Sequence, residues 1–352
     1  MLFKTTISLL ICVSLAMAVA PFGDPQPHNP YGNPPSPPVL PVPDWTQTRF
    51  FDAFRFPTDD IANGGCTADQ KRKLQDAFNE VIHLARLVYD YVSEEIRGVT
   101  PNTDVGDLMY YVFGVHPSYY ISNPDGGGSY DGGVMVLIAK HAMGGLSWHG
   151  LQTIRITRLY CNSNWLVPEE YERDDNGLQT AIKFPEGERF YDKESNYFSP
   201  IPWGGRFVLQ LGMCGPVGSD PEHTDAITDL SRNTITFCPE VWKPAHPVQM
   251  PIAIANPVAN PPQSIDTFDS ISWSFMHEYT HLIGQSVFGG EGVVDHVNAA
   301  GKIAYGYADA SQLSSSDRAV TNADSYVLLA VGCLLNQYDW SDGCCRYGSL
   351  QS

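Results

Sequence analysis

Basic residues are scarce in this chain: 21 Lys and Arg stand against 39 Asp and Glu, a formal charge of −18. So acidic a surface offers no cationic face for phosphates, which argues against nucleic acid as a partner and against electrostatic docking on anionic membranes. Beyond the first twenty residues no run approaches the roughly 20 apolar residues of a bilayer span. No Asn-x-Ser/Thr acceptor occurs, so N-glycans are not expected. No C-x-x-C pair occurs, which weakens a redox motif and a thiolate zinc site alike. A G-x-S-x-G elbow is missing, and the glycine-rich stretch at 123–133 lacks the G-x-x-x-x-G-K-[ST] pattern, so it reads as a loop. Nothing in the sequence points to the paired carboxylates of glycoside hydrolysis. Apolar residues make up 43%, ordinary for a folded chain and too many for a disordered one.

What is present begins with Lys4, an apolar run from Ile7 to Val19 and small residues at Ala18 and Ala20. That is the layout of a secretory signal peptide over residues 1–20, with cleavage after Ala18 or Ala20. Secretion is therefore expected, with no membrane anchor after cleavage. Residues 21–44 hold ten prolines and are expected to be an extended, disordered tether or propeptide remnant. Residues 45–352 are read as one domain, and as a monomer. Removing the signal peptide removes Cys12 and leaves Cys66, Cys161, Cys214, Cys238, Cys333, Cys344 and Cys345. In an oxidising compartment most should pair, leaving one over.

Thr67 followed by Gln70 forms a capping-box pattern, and Leu74, Phe78, Ile82, Ala85, Val88, Tyr89 and Val92 follow at helical spacing. A long amphipathic helix over about 68–97 is expected. Strands are expected at 134–138, 153–159, 206–211 and 234–237, and the aromatic segment 45–56 is expected to pack on the domain. The chemical signal is His277-Glu278-Tyr279-Thr280-His281, an H-E-x-x-H pattern. Residues four apart share one helix face, so both imidazoles can reach a single Zn²⁺ at about 2.0–2.1 Å. Glu278 is then the general base that takes a proton from the attacking water. Asp266 and Asp269 suit the helix start and Gly284 its end. The remaining histidines, including His83 and His246, show no ligand spacing and read as structural or exposed.

A catalytic zinc site needs a third protein ligand. After the helix come Gly289-Gly290-Glu291-Gly292-Val293-Val294-Asp295-His296. Asp295, His296 and Glu291 are each able to ligate, and Asp295 can also be read as a turn residue or a partner to a histidine.

The H-E-x-x-H helix, Tyr305-Gly306-Tyr307, Thr321-Asn322-Ala323-Asp324-Ser325-Tyr326 and the upstream Asn233–Pro239 segment together resemble the aspzincin metallopeptidases, the family of fungal deuterolysins and peptidyl-lysine metalloendopeptidases. The likeness covers residues 230–332 well, the region around Cys66 loosely and the middle third hardly at all. It implies an α+β, zincin-like fold with a long N-terminal helix, a small mixed or antiparallel sheet and an active-site helix. It also implies one Zn²⁺ and hydrolysis of peptide bonds in a protein or peptide substrate. The family's third ligand is an Asp in G-T-x-D-x-x-Y-G. Here Lys302 stands three residues before Tyr305, so Asp295 is the favoured substitute, ahead of His296. Tyr305 matches the tyrosine that stabilises the oxyanion. Asp324 matches a residue that helps form a substrate-lysine pocket, or else serves as a helix cap or structural acceptor. The strand at 234–237 is expected to be the edge that pairs with substrate backbone. The competing class is a secreted zinc-binding protein or surface antigen without catalysis.

Overall fold

Thr67 and Gln70 close the capping box in both directions. The Thr67 N–H donates to Gln70 Oε1 at 2.8 Å, and the Gln70 N–H donates to Thr67 Oγ1 at 3.2 Å. Two orphan amides of the first turn are thereby satisfied. The helix they start, α2, runs Ala68–Ile96 and buries Leu74, Phe78, Ala85, Val88, Tyr89 and Val92 of the predicted stripe, while Ile82 is partly buried and Val81, not in that stripe, is buried too. This computed structural model describes residues 50–96, 103–114, 156–184, 189–192, 194, 197–198, 214, 224–251, 262–288, 292–313 and 316–347. The leader, the proline-rich stretch, the glycine-rich loop, the strands expected at 134–138 and 206–211, and Glu291 lie outside the described residues.

The fold is mixed α+β. Short α1 (Phe50–Ala53) and β1 (Phe54–Arg55) precede α2, and α3 spans Thr103–Phe113. Then come β2 (Thr157–Tyr160), β3 (Leu166–Glu169), β4 (Tyr171–Arg173), β5 (Gln179–Lys183), β6 (Arg189–Asp192), β7 (Tyr197–Phe198), β8 (Ala226–Asp229) and β9 (Thr234–Phe237). The main sheet has the order β1-β2-β9-β8. β1, β2 and β9 are mutually parallel, while β8 folds back antiparallel on β9. The connecting turn includes Asn233 at φ 51°, a left-handed conformation that Asn tolerates. Every residue of β2 and β9 is buried, as central strands covered on both faces require. The strand at 234–237 is therefore internal, and β8 is the edge among the described strands. The expectation fails because sequence order does not reveal which strand of a hairpin faces outward.

Helix α4 (Ile271–Phe288) packs against α2, β8 and α7 (Ala323–Leu334). Its residues from Ile271 to Gly284 are all buried, so it is a core helix apolar on every side, not a two-faced surface helix. Phe275 stacks edge-on against Phe54, Phe237 and, tilted, Phe78. The helix starts where Ser270 Oγ accepts the Trp273 N–H at 3.1 Å, one residue after the expected Asp269. It does not end at Gly284. A Cβ there would lie 2.4 Å from Val293 Cγ2 and 2.6 Å from its nitrogen, so the glycine serves close packing instead. Short α5 (Gly306–Ala310) and α6 (Ser316–Val320) lie between α4 and α7.

A second region, β3 to β7, forms a three-stranded sheet of order β3-β6-β7 and the hairpin β4-β5. Arg158 on β2 fastens it to the main sheet through Asp192 at 3.0 Å and Glu194 at 3.2 Å. Disulfides join Cys66 to Cys161 and Cys214 to Cys238. Cys344 is also disulfide-bonded, and Cys333 and Cys345 are buried free thiols, one more than the single cysteine expected to be left over. No helix of the described residues is long and apolar enough to cross a membrane.

Candidate metal centre

His277 and His281 sit one turn apart on α4, facing the segment that follows it. Val294 N–H donates to the Thr321 carbonyl at 2.8 Å, and Ala323 N–H donates back to the Val294 carbonyl at 3.3 Å. This bridge suspends an extended stretch beneath the helix, where alternate side chains point to opposite sides. Asp295 turns toward the histidines. His296 turns away, its Nε2 lying 2.8 Å from Thr321 Oγ1, so it is not part of the cluster.

Asp295 Oδ1 stands 3.0 Å from His277 Nε2 and 3.4 Å from His281 Nε2, and the two Nε2 atoms are 3.1 Å apart. A tetrahedral ion with bonds of about 2.0 Å has ligands about 3.3 Å apart. These three distances form one face of that tetrahedron. The outer ring nitrogens are tied elsewhere. His281 Nδ1 lies 2.8 Å from the Val293 carbonyl and His277 Nδ1 lies 2.6 Å from Asp324 Oδ1. A carbonyl can only accept, so His281 Nδ1 carries the hydrogen and a neutral ring presents its Nε2 lone pair inward. The same holds for His277 opposite the Asp324 carboxylate. In their neutral forms the two rings aim lone pairs at one point beside a carboxylate, an arrangement that a proton or a metal ion between them can satisfy. The group of His277, His281 and Asp295 can hold a metal ion.

A proton can fill this role, and a metal ion would compete with it. Burial pulls the His277 pKa down, but the Asp295 and Asp324 carboxylates outweigh it and hold the ring well above the usual histidine range. Burial would raise the Asp295 carboxyl, yet the two imidazoles draw it well below the usual carboxylate range. Glu278 is buried, and burial pushes its carboxyl up against the lowering pull of both histidines. Its backbone carbonyl accepts from Thr228 Oγ1 at 3.0 Å, which docks edge strand β8 on the same turn of helix.

Half-exposed Tyr305 donates its hydroxyl to Asp295 Oδ2 at 3.1 Å, and its ring meets His277 edge-on with centroids 5.6 Å apart. Packing around the hydroxyl, then the Asp295 carboxylate, push this phenol up, so it remains a donor. Asp324 is neither a cap nor an open pocket acid. It is buried, with Oδ1 on His277 and Oδ2 accepting the Gly306 N–H at 2.5 Å. A carboxylate behind a ligating histidine fixes its tautomer and raises its basicity. Of the roles the sequence left open for Asp324, the structural acceptor is the one seen, but its partner His277 was not foreseen, since no local pattern joins residues 277 and 324.

Of the residues expected to act, the structure gathers His277, His281, Glu278, Asp295 and Tyr305, and it excludes His296. Gly284 completes the arrangement. Its bare backbone lets Val293 approach, and Val293 both holds His281 and leads into Asp295. Compared with known proteins, the chain matches no family model and no curated protein.

Proposed function

We propose that this protein is a secreted, zinc-dependent metalloendopeptidase of the aspzincin type. The observation that carries the reading is the inward face of His277 Nε2, His281 Nε2 and Asp295 Oδ1, at 3.0–3.4 Å, with Glu278 next in sequence on the same buried helix. His277, His281 and Asp295 would hold the ion, with one coordination position left open for water and substrate. Bound there, Zn²⁺ supplies Lewis-acid polarisation and acidifies water.

The chain's own groups do the rest. Glu278, made more basic by burial, takes the proton released during attack and hands it to the departing amine. Tyr305 gives up its bond to Asp295 and donates to the oxygen of the scissile carbonyl as negative charge develops there. Strand β8, whose outer side is unpaired among the described residues, would offer it to an extended peptide and align the scissile bond along α4 without reading every side chain. Asp324 steadies His277 throughout. The Cys66–Cys161 and Cys214–Cys238 disulfides fit an oxidising compartment, which supports secretion.

The test is a casein digest with and without chelator, run beside Glu278→Gln. The wild type should cleave only with metal, and the variant should keep its Zn²⁺ while losing about 10²–10⁴-fold in rate. A wild type that binds Zn²⁺ and cleaves nothing makes the protein a non-catalytic zinc binder.

A further inference from the structure

A second group of donors lies at the other end of α4. Asp225 precedes β8, His246 belongs to the loop after β9, and Asp269 immediately precedes the helix start. One ligand atom from each falls within 4.8 Å of the others. From Ser270 to His277 is seven residues, or about 10 Å of helix, so the two clusters share no ligand.

The backbone positions all three. The Cys238 N–H donates to the Asp225 carbonyl at 2.7 Å, and Ser274 Oγ on α4 donates to Asp225 Oδ2 at 3.3 Å. The His246 loop caps the helix. Ile271 N–H donates to the Pro247 carbonyl at 2.9 Å, Ser272 N–H to the Val248 carbonyl at 3.0 Å, and Ser272 Oγ to that same carbonyl at 3.0 Å. The imidazole is thereby held over the start of α4.

His246 Nε2 is sealed from water and has no hydrogen-bond partner among the described residues. Asp269 Oδ1 is 3.9 Å away, too far for a proton to bridge. An octahedral ion with bonds of about 2.1 Å sets ligands about 3.0 Å apart when adjacent and about 4.2 Å apart when opposite. The gap is therefore of ion size. The half-exposed Asp269 side chain can swing to close the remaining fraction of an ångström. Two carboxylates carry four times the roughly half charge of the nearby helix terminus, so the local field favours a cation despite it.

We propose that Asp225, His246 and Asp269 form a second divalent-cation site. Its one imidazole and two carboxylates suit an ion of the Zn²⁺ or Mn²⁺ class, completed by water. The ion clamps the beginning of edge strand β8 to the beginning of α4, so it fixes the strand against the helix without entering the chemistry at the first centre.

The experiment strips the full chain with chelator and titrates it with Zn²⁺, following stoichiometry by calorimetry and thermal midpoint by circular dichroism. The wild type should take two equivalents. His246→Gln and Asp269→Asn should each take one and show a smaller Zn²⁺-induced rise in midpoint, while metal-free midpoints stay like the wild type's. Asp269→Asn is nearly isosteric and half-exposed, so it keeps the test open if His246→Gln fails to fold. Retention of the wild-type stoichiometry by the folded variants overturns the site. His281→Gln separates the two centres: its failure to lower the stoichiometry counts against the first centre and leaves this one standing.

Discussion

The α4 region and the β3–β7 region are held by different forces. Around α4 the contacts are mostly apolar and buried, and several polar side chains lodged there find backbone partners: Ser272 the Val248 carbonyl, Thr280 the Met276 carbonyl, His281 the Val293 carbonyl. The β3–β7 region leans on ion pairs, such as Lys183 with Glu170 at 2.7 Å, and leaves Leu178 and Ile182 exposed. The difference teaches where precision is needed. A metal triangle tolerates errors of a few tenths of an ångström, and close packing supplies that tolerance. Exposed ion pairs are worth little and weaken with salt.

Four substitutions sharpen or break this contrast. Phe275→Ala opens the aromatic core behind the metal helix and should cost about 3–5 kcal/mol in a urea melt. A cost near that of a surface change would show that the region is not close-packed. Gly284→Ala should destabilise by about 1–3 kcal/mol, although a helical Gly→Ala change ordinarily stabilises. It should also weaken Zn²⁺ binding in calorimetry, because the added methyl displaces Val293 and with it the support of His281 and the lead into Asp295. A stabilised variant of unchanged affinity would separate the metal centre from the packing beneath it.

The third change concerns pH. Asp266 accepts the Tyr307 N–H at 2.8 Å, and burial raises its carboxyl above the usual range. Its folded pKa exceeds its unfolded one, so its contribution is present below the unfolded pKa and is lost as pH rises through the folded value. Asp266→Asn should thus gain on the wild type as pH rises from about 3 toward neutrality, with the unfolded carboxyl near 3.9. Melts across that range check it, and a constant difference would count against burial as the cause. The smallest effect belongs to Lys183→Ala. Both members of its pair are largely exposed, so a barely measurable loss is expected, vanishing in high salt. A larger, salt-resistant cost would put the β3–β7 region on the same footing as α4.

What could be read beforehand follows the range of each interaction. The capping box and the stripe of α2 are local, and both stood out in the residue pattern. His277 and His281 were legible because four residues make one turn. Asp295 was favoured over His296, and alternation along an extended segment supports that choice. Local rules failed where distance mattered. Gly284 resembles a helix stop, yet it serves a neighbour nine positions on. Asp324 reaches His277 across 47 positions, and the pairing order of β8 and β9 depends on the whole sheet. His246 looked ordinary because its companions come from two other segments. Helix α4 itself shows little two-faced periodicity, since it has no outer side to make polar.

Asp324 grips the ring of His277 with one oxygen and the backbone of Gly306, next to Tyr305, with the other. On the proposed function, cation loading and phenol placement would therefore share one carboxylate. Thermodynamic reciprocity would then require that whatever draws Tyr305 toward a bound peptide alters the grip on the ion by the same factor that the ion alters the grip on the peptide.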